Sequence, residues 1–382
     1  MRLIPIEDAD ESMVLAKPVP KPDKPNMDLL KKGFKLTDVM IGKLNEMGVK
    51  HLWIIDDDLE FLDDLIDERL EVVKRDIFSD VKEHFDGMMS GRKENFDYSR
   101  YANKIKDLFD GIFSNPSSVN FLQDLNTYDN YLAAHSFNVC YLSILLGVKA
   151  QSVLVKERGT KDAFNDAIHN LGVGAIFHDL GKTEMDKGIA VKPLGHSKEE
   201  RRELVKHVFK GYKILKDKIS PTAANISLNH HQKFNGTGYP ALKGEVPLQG
   251  KGINIFSRLV SIVNIYDCLT APNPYVPNKQ PVQALYYIKF GLDGWFDPEI
   301  KFFFEKLVPP FPVGSFVKLN TGETAAVVRL NNERPCDPVV KLYSDINGNK
   351  LDSGSQAEID LSREKDLNVK YYNGVDIEKY LY

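Results

Sequence analysis

The chain has 382 residues, 42% of them hydrophobic and 27% charged, which suffices for packed domains and argues against wholesale disorder. With 50 Lys and Arg against 54 Asp and Glu, the formal net charge is −4, so no global positive field exists to coat a nucleic acid polymer or an anionic membrane. Three cysteines, Cys140, Cys268 and Cys336, stand far apart without CxxC spacing, which argues against a disulfide framework or a cysteine-based zinc site and fits a reducing, cytoplasmic setting. No apolar run approaches the ~18 residues of a membrane span, so none is expected. The start turns acidic at Glu7 and Asp8, too soon for a secretory signal.

In chain order, Leu3–Ile6 and Met13–Ala16 read as short strands, and Lys17–Pro25, with its four prolines, as an exposed loop. Thr37 can cap a helix running to Met47, where Gly48 stops it, and His51–Ile55 reads as a strand. An acidic stretch, Asp56–Asp67, leads into helical pattern up to Phe113. Tyr131–Leu146 is apolar nearly all round and reads as a buried helix. Asp166–Phe177 is helical. Ser197-Lys-Glu-Glu200 matches a capping box, and the helix behind it carries Leu204, Val208, Tyr212 and Leu215 on one face. A further amphipathic helix carries Ile255, Leu259, Ile262, Val263 and Tyr266. Beyond Pro309–Pro312, Ser315–Leu319, Ala325–Arg329 and Val339–Tyr343 read as a β-meander. The expected fold is mainly α: an N-terminal α/β unit over 1–70, a helical connector over 71–114, a helical bundle over 115–310, and a small β tail over 311–382. The tail is similar to SH3-like modules and is expected to pack on the bundle.

The histidines carry the chemistry. Of nine, seven fall between His135 and His231. His178-Asp179 lies inside Phe177-His-Asp-Leu-Gly-Lys182. An isolated pair of this kind could simply close a helix ahead of Gly181. It is not isolated, because His135 precedes it on the buried helix, and His207 and His230-His231 follow on others. Buried imidazoles need partners, and a shared metal pair inside a helical bundle satisfies them at one point. Imidazole with carboxylate suits iron, manganese or zinc rather than calcium or magnesium. Asn235-Gly-Thr-Gly-Tyr-Pro240 follows the paired histidines. It reads either as a tight glycine loop or as backbone that approaches a ligand beside the metals. The other histidines read as structural: His196 as a solvated loop residue, His169 as core or surface, His51 and His84 outside the bundle. Asp56-Asp57-Asp58 reads as a solvated acidic face.

Together these residues resemble the HD-GYP domain, a bacterial branch of the HD phosphohydrolases. His178-Asp179-Leu180-Gly181-Lys182, His230-His231 and Gly238-Tyr239-Pro240 carry the likeness. So do Asp129-x-Tyr131-x-x-x-His135, His207-x-x-x-Gly211, and Tyr266-Asp267-Cys268-Leu269-Thr270 ahead of Pro274-Tyr275. The resemblance covers about residues 120–310 and implies a helical bundle that hydrolyses cyclic di-GMP to pGpG and, in some members, on to GMP. It also implies two divalent transition metals, iron or manganese foremost and zinc allowed. His135, His178, Asp179, His207, His230 and His231 would be ligands, with Asp179 bridging. Lys182 would assist catalysis by meeting a phosphate oxygen. Gly238 and Tyr239 would shape the surface facing nucleotide or protein partner, and a homodimer stays open. Tyr131 stands where three-metal members carry a glutamate, which favours two metals here.

Three positions depart from the family pattern. Asn264 stands at a ligand aspartate's place and keeps only a neutral carbonyl oxygen, Gln232 replaces a glutamate, and Asn273 replaces an arginine in the substrate-facing segment. The expectation is therefore a cyclic di-GMP phosphodiesterase. The competing readings are an HD-GYP-like effector that binds the dinucleotide or a partner without turnover, and an HD phosphohydrolase of another nucleotide.

Overall fold

The structure is a computed structural model and describes all residues except 22–23, 50, 66, 93–96, 115–130, 159–163, 191, 193–194, 242–245 and 274–276. Asp129 and the Pro274-Tyr275 pair therefore lie outside the described residues. The N-terminal unit opens with β1 (Arg2–Pro5), continues through β2 (Val19–Pro20), β3 (Asp28–Leu30) and α1 (Asp38–Glu46), and ends in β4 (His51–Ile54). β1 and β4 pair antiparallel, with Ile4 opposite Leu52. Thr37 caps α1 by accepting from the Met40 amide. Ile4, Ile6, Leu15, Leu44, Leu52 and Ile54 close a small core under this layer.

Two differences from the sequence reading sit here: Met13–Ala16 forms no strand, only isolated bridges from Val14 to Lys35 and from Leu15 to Ile54, and the proline-rich segment is in part a strand. Lys17–Pro25 is not wholly loop, because Val19 and Pro20 pair with β3 at an irregular register, and Val19 is buried. A two-residue strand at an edge tolerates proline, since few ladder bonds need its missing N–H.

The helical centre comprises α2 (Glu68–Met89), α3 (Tyr98–Ser114), α4 (Tyr131–Lys149), α5 (Gln151–Arg158), α6 (Phe164–Ile176), α7 (Lys187–Ala190), α8 (Lys198–Val205), α9 (His207–Leu215), α10 (Pro221–Asn229), α11 (Ile255–Thr270), α12 (Pro281–Tyr286) and α13 (Pro298–Leu307). A single apolar core runs from Leu70 in α2 to Val308 behind α13. α4 lies at its centre against α2, α6, α11 and α13. It is also long and apolar enough to cross a membrane by length and composition, but 78% of the relevant window is buried within the protein. Residues all round such a helix are apolar because neighbours cover every face.

The capping box at Ser197 forms in full. The helix behind it is not continuous, however. It breaks at Lys206 and restarts at His207, which puts that histidine in the first turn of α9.

The tail holds β5 (Phe316–Leu319), β6 (Thr324–Arg329), β7 (Val339–Ser344), β8 (Glu358–Asp360), β9 (Val369–Tyr372) and β10 (Val375–Asp376), in the order β10-β9-β5-β6-β7-β8. Its core takes Val282 from α12 and Phe311 from the linker. It also packs on the N-terminal unit through Met1, Leu59, Leu62, Val313 and Ala326. Tyr343 donates to Asp56 Oδ2 at 2.8 Å, and the Lys341 ammonium to the Asp58 carbonyl at 3.0 Å. The acidic face at 56–58 is thus partly an interdomain contact rather than simply solvated.

Candidate metal centre

Four helical segments and one turn converge on Asp179. α6 stops at Ile176, and the chain turns through Phe177-His178-Asp179 into a short 3-10 helix, Leu180–Glu184. That turn is held from below, where Ser227 on α10 donates to the His178 carbonyl at 2.9 Å. α9 crosses directly over it. A Cβ on Gly181 would lie 2.0 Å from the His207 carbonyl oxygen and 2.6 Å from the Gly211 nitrogen. Only glycine permits that approach, and the approach brings His207 to the carboxylate.

Asp179 presents one oxygen to each of two histidine pairs. Oδ2 is 3.5 Å from His135 Nε2 and 3.4 Å from His178 Nε2, while Oδ1 is 3.2 Å from His207 Nε2 and 3.6 Å from His230 Nε2. The donor atoms of Asp179, His207, His230 and His231 all fall within 4.8 Å of one another, as do those of His135, His178 and Asp179. The structure therefore brings together all five histidines expected from the sequence.

The far nitrogens are committed elsewhere. His135 Nδ1 meets Asp267 Oδ2 at 2.6 Å, and Asn138 holds the other oxygen of that carboxylate at 2.9 Å. His178 Nδ1 meets the Ala175 carbonyl at 2.7 Å, His207 Nδ1 the Leu204 carbonyl at 2.5 Å, and His230 Nδ1 the Ser227 carbonyl at 3.0 Å. A carbonyl or carboxylate accepts, so the proton of each ring sits on Nδ1 and Nε2 faces inward as a lone pair. Two such lone pairs stand 3.2 Å apart between His135 and His178, and two stand 3.4 Å apart between His207 and His230. Asp179 Oδ1, buried, makes no hydrogen bond.

Lone pairs facing one another beside an anion repel unless cations lie between them. Protons fill that role poorly here. Burial pushes the His178 imidazole below its usual range, with Asp179 opposing, and pushes His230 down to about 3. Burial, then the neighbouring His230 and His207, holds His231 well below it. Burial alone would raise Asp179, but the Lys182 ammonium and His178 hold it well below the carboxylate range. The donor set therefore fits metal cations beside the shared carboxylate, with carbonyl and carboxylate partners that fix the tautomers of His135, His178, His207 and His230.

Other expected residues take up the following places. Lys182 donates to Asp179 Oδ2 at 2.6 Å. Asn264 is buried one turn before Asp267 on α11, and its Oδ1 accepts from the Cys268 thiol at 3.9 Å. The Tyr131 ring stacks on His135 at 5.4 Å, and its hydroxyl lies 3.9 Å from Cys268 Sγ. Gln232 is buried and donates to the Pro240 carbonyl at 2.7 Å, so it ties down the Gly-Tyr-Pro loop rather than a ligand histidine. Asn273 spends its amide on the Cys268 and Ala271 carbonyls at the end of α11. Gly238 sits in a closed turn, and Tyr239 stacks on His231. Among the residues set aside as structural, His84 packs between Tyr101 and Phe177, and His196 donates to the Ile189 carbonyl at 3.0 Å. The role of Asp267 and Asn138 in holding His135 was not read from the sequence. Its signal is the spacing, since His135 and Asn138 share a helix face at i, i+3.

Residues 146–300 match the HD domain family, and residues 316–375 match the KOW domain associated with HD domain. A cyclic di-GMP phosphodiesterase of Pseudomonas aeruginosa is 26% identical over 251 residues, covering 65% of this chain and 56% of that protein. A cyclic di-GMP phosphodiesterase of Thermotoga maritima is 28% identical over 185 residues, 47% of this chain and 44% of that one. The 3'3'-cGAMP-specific phosphodiesterase 3 of Vibrio cholerae is 33% identical over 127 residues, 33% of this chain and 26% of that one. The chain thus spans about half the length, or less, of the curated relatives it matches. Among solved structures, the HDG"Y"P protein of Bdellovibrio bacteriovorus aligns with a TM-score of 0.49 at 20% identity, over 79% of this chain and 97% of that one. Residues 146–300 are thus similar to HD domains and residues 316–375 to the KOW domain that accompanies them, in keeping with the HD-GYP resemblance of the sequence motifs.

Proposed function

We propose that this protein is a metal-dependent phosphodiesterase that hydrolyses cyclic di-GMP to pGpG, with further hydrolysis to GMP left open. One observation carries the reading: a single buried carboxylate turns one oxygen to each of two histidine pairs. His135, His178 and Asp179 would hold one ion, and His207, His230, His231 and Asp179 the other. Iron or manganese suits these donors best, with zinc accommodated. Two ions so held would supply the positive charge that polarises a phosphodiester and activates water for in-line attack.

The chain's own groups do the rest. The Nδ1 contacts of His135, His178, His207 and His230 aim each Nε2 inward, so these rings need no reorientation when a ligand arrives. Lys182 lies at the edge of the carboxylate with a flexible ammonium, suited to a non-bridging phosphate oxygen. The relatives named for cyclic di-GMP support the substrate, and those named for 3'3'-cGAMP mark the nearest competitor.

Asn264 favours a second reading. A neutral side chain at a ligand aspartate's place lowers the negative charge around one ion, which fits a protein that binds the dinucleotide and turns it over weakly or not at all. The test is purified protein reconstituted with iron(II) or manganese(II) and given cyclic di-GMP or 3'3'-cGAMP. Formation of pGpG above a His178→Ala control is expected. Binding of cyclic di-GMP without product would establish the second reading, and hydrolysis confined to 3'3'-cGAMP would overturn the substrate.

A further inference from the structure

We infer that Gln232 is a positioning residue: its amide clasps the Gly-Tyr-Pro loop so that the Tyr239 ring, rather than a hydrogen bond, sets the orientation of His231. The inference rests on the metal-centre reading above and extends it to a contact found in this chain. Four of the five site histidines are oriented through Nδ1, by Asp267 or by backbone carbonyls. Among the described residues, no hydrogen bond reaches the His231 ring. Tyr239 lies against it instead, with centroids 4.5 Å apart and planes at 25°. The loop that delivers Tyr239 folds back on the histidine's own backbone, and the Tyr239 amide donates to the His231 carbonyl at 3.2 Å. Gly238 makes the return possible, since a Cβ there would lie 2.4 Å from the Lys233 nitrogen and 2.5 Å from the His231 carbonyl oxygen.

The far end of the loop is pinned by Gln232. Its side chain is 3% exposed, its Nε2 donates to the Pro240 carbonyl at 2.7 Å, and its buried Oε1 has no partner. A carbonyl acceptor requires a donor. A carboxylate at 232 would set two acceptors against each other in a buried space. Gln232 is therefore suited to the clasp in a way that the isosteric glutamate is not, and this departure from the family pattern supports the site through the loop.

The test reads the ring contact directly. In metal-free protein with carbon-13-labelled histidine, the His231 ring signal should be displaced by the Tyr239 ring current. Tyr239→Phe should keep the displacement, while Tyr239→Leu and Gln232→Glu should abolish it. Cobalt(II) titration against a chelator should then show affinity at one of two positions lowered roughly 10- to 100-fold in Gln232→Glu, with a changed visible spectrum and an unchanged first position. A displaced signal that survives Gln232→Glu, or cobalt affinities equal to wild type, overturns the inference. If Gln232→Glu does not fold, the cobalt affinity of Tyr239→Leu against Tyr239→Phe decides whether the tyrosine ring orients His231: a loss confined to Tyr239→Leu supports it, and equal affinities overturn it. Wild-type protein that takes up no cobalt while the ring signals behave as expected would leave the clasp standing and sink the metal reading instead.

Discussion

Gly181→Ala isolates the contact that builds the centre. The new Cβ would meet the His207 carbonyl oxygen at 2.0 Å, whereas ordinary contact begins at 3.4 Å. The shortfall is about 1.4 Å, and the opposing atoms are backbone, which cannot rotate away. α9 must therefore shift or tilt by roughly that amount, at an overpacking cost of about 1–3 kcal/mol. The functional cost is larger. His207 Nε2 stands 3.2 Å from Asp179 Oδ1, and metal–nitrogen distances hold within roughly 0.2 Å, so the His207 position should lose its ion. Gly211→Ala is the control. Its Cβ would strike the Ser227 hydroxyl at 2.2 Å, a side chain that can turn aside at the loss of its hydrogen bond to His178, about 1 kcal/mol. Denaturant melts and elemental analysis after manganese loading measure both. Gly181→Ala with wild-type stability and two bound ions would refute the account of how α9 is seated.

Further outcomes follow from the same geometry. Asp267→Ala strips His135 of its Nδ1 acceptor and should lower metal affinity roughly 10- to 100-fold, read by chelator competition. Asn264→Asp should raise ion content at the His135–His178 position if residue 264 reaches it, and unchanged stoichiometry counts against that placement. Asp297→Ala leaves the buried Arg258 guanidinium with Glu157 as its one remaining carboxylate partner among the described residues and also strips the N-cap of α13, and should cost about 3 kcal/mol or more in a denaturant melt. A loss under 1 kcal/mol would contradict it. The pH response of metal-free protein is also fixed in sign. Burial lowers the folded pKa of His178, His230 and His231 from 6.5, so the unfolded chain takes up protons first. Stability is full above pH 6.5 and falls as pH drops below it, by up to about 1.4 kcal/mol per unit per ring. Equal stability at pH 7.5 and 5.5 would refute neutral, buried imidazoles.

Much of the centre could be read from the sequence because its groups break a local pattern. His135 interrupts an apolar helix, and His178-Asp179 closes another, so each stands out against the residues that surround it. What escaped lies in contacts between segments. The break at Lys206 leaves no mark, since Leu204, Val208 and Tyr212 keep helical spacing across it. The restart comes from His207 bonding back to Leu204 and from α9 seating on Gly181, both tertiary contacts. Pairing of Asp267 with His135 spans 132 positions, which periodicity does not sense. The proline-rich segment misled in the opposite direction, because a two-residue edge strand needs too few bonds for proline to forbid it. β8, β9 and β10 are too short to alternate visibly and are defined by their neighbours in the sheet.

The two halves of the centre are not equivalent, and the asymmetry bears on turnover. Asp179 with His207, His230 and His231 offers four donor groups within a single cluster, while Asp179 with His135 and His178 offers three. Asn264, at the place of the family's missing aspartate, faces Cys268, and Cys268 faces Tyr131, which stacks on His135 of the three-donor group. Burial pushes the Cys268 thiol up to about 12, so none of these side chains adds negative charge at neutral pH. An ion on that side would be held by one shared carboxylate and neutral imidazoles, and would exchange faster than its neighbour. If the proposed in-line hydrolysis draws on both positions, occupancy of the weaker one sets the rate, and activity should track free metal concentration well above the level that fills the first.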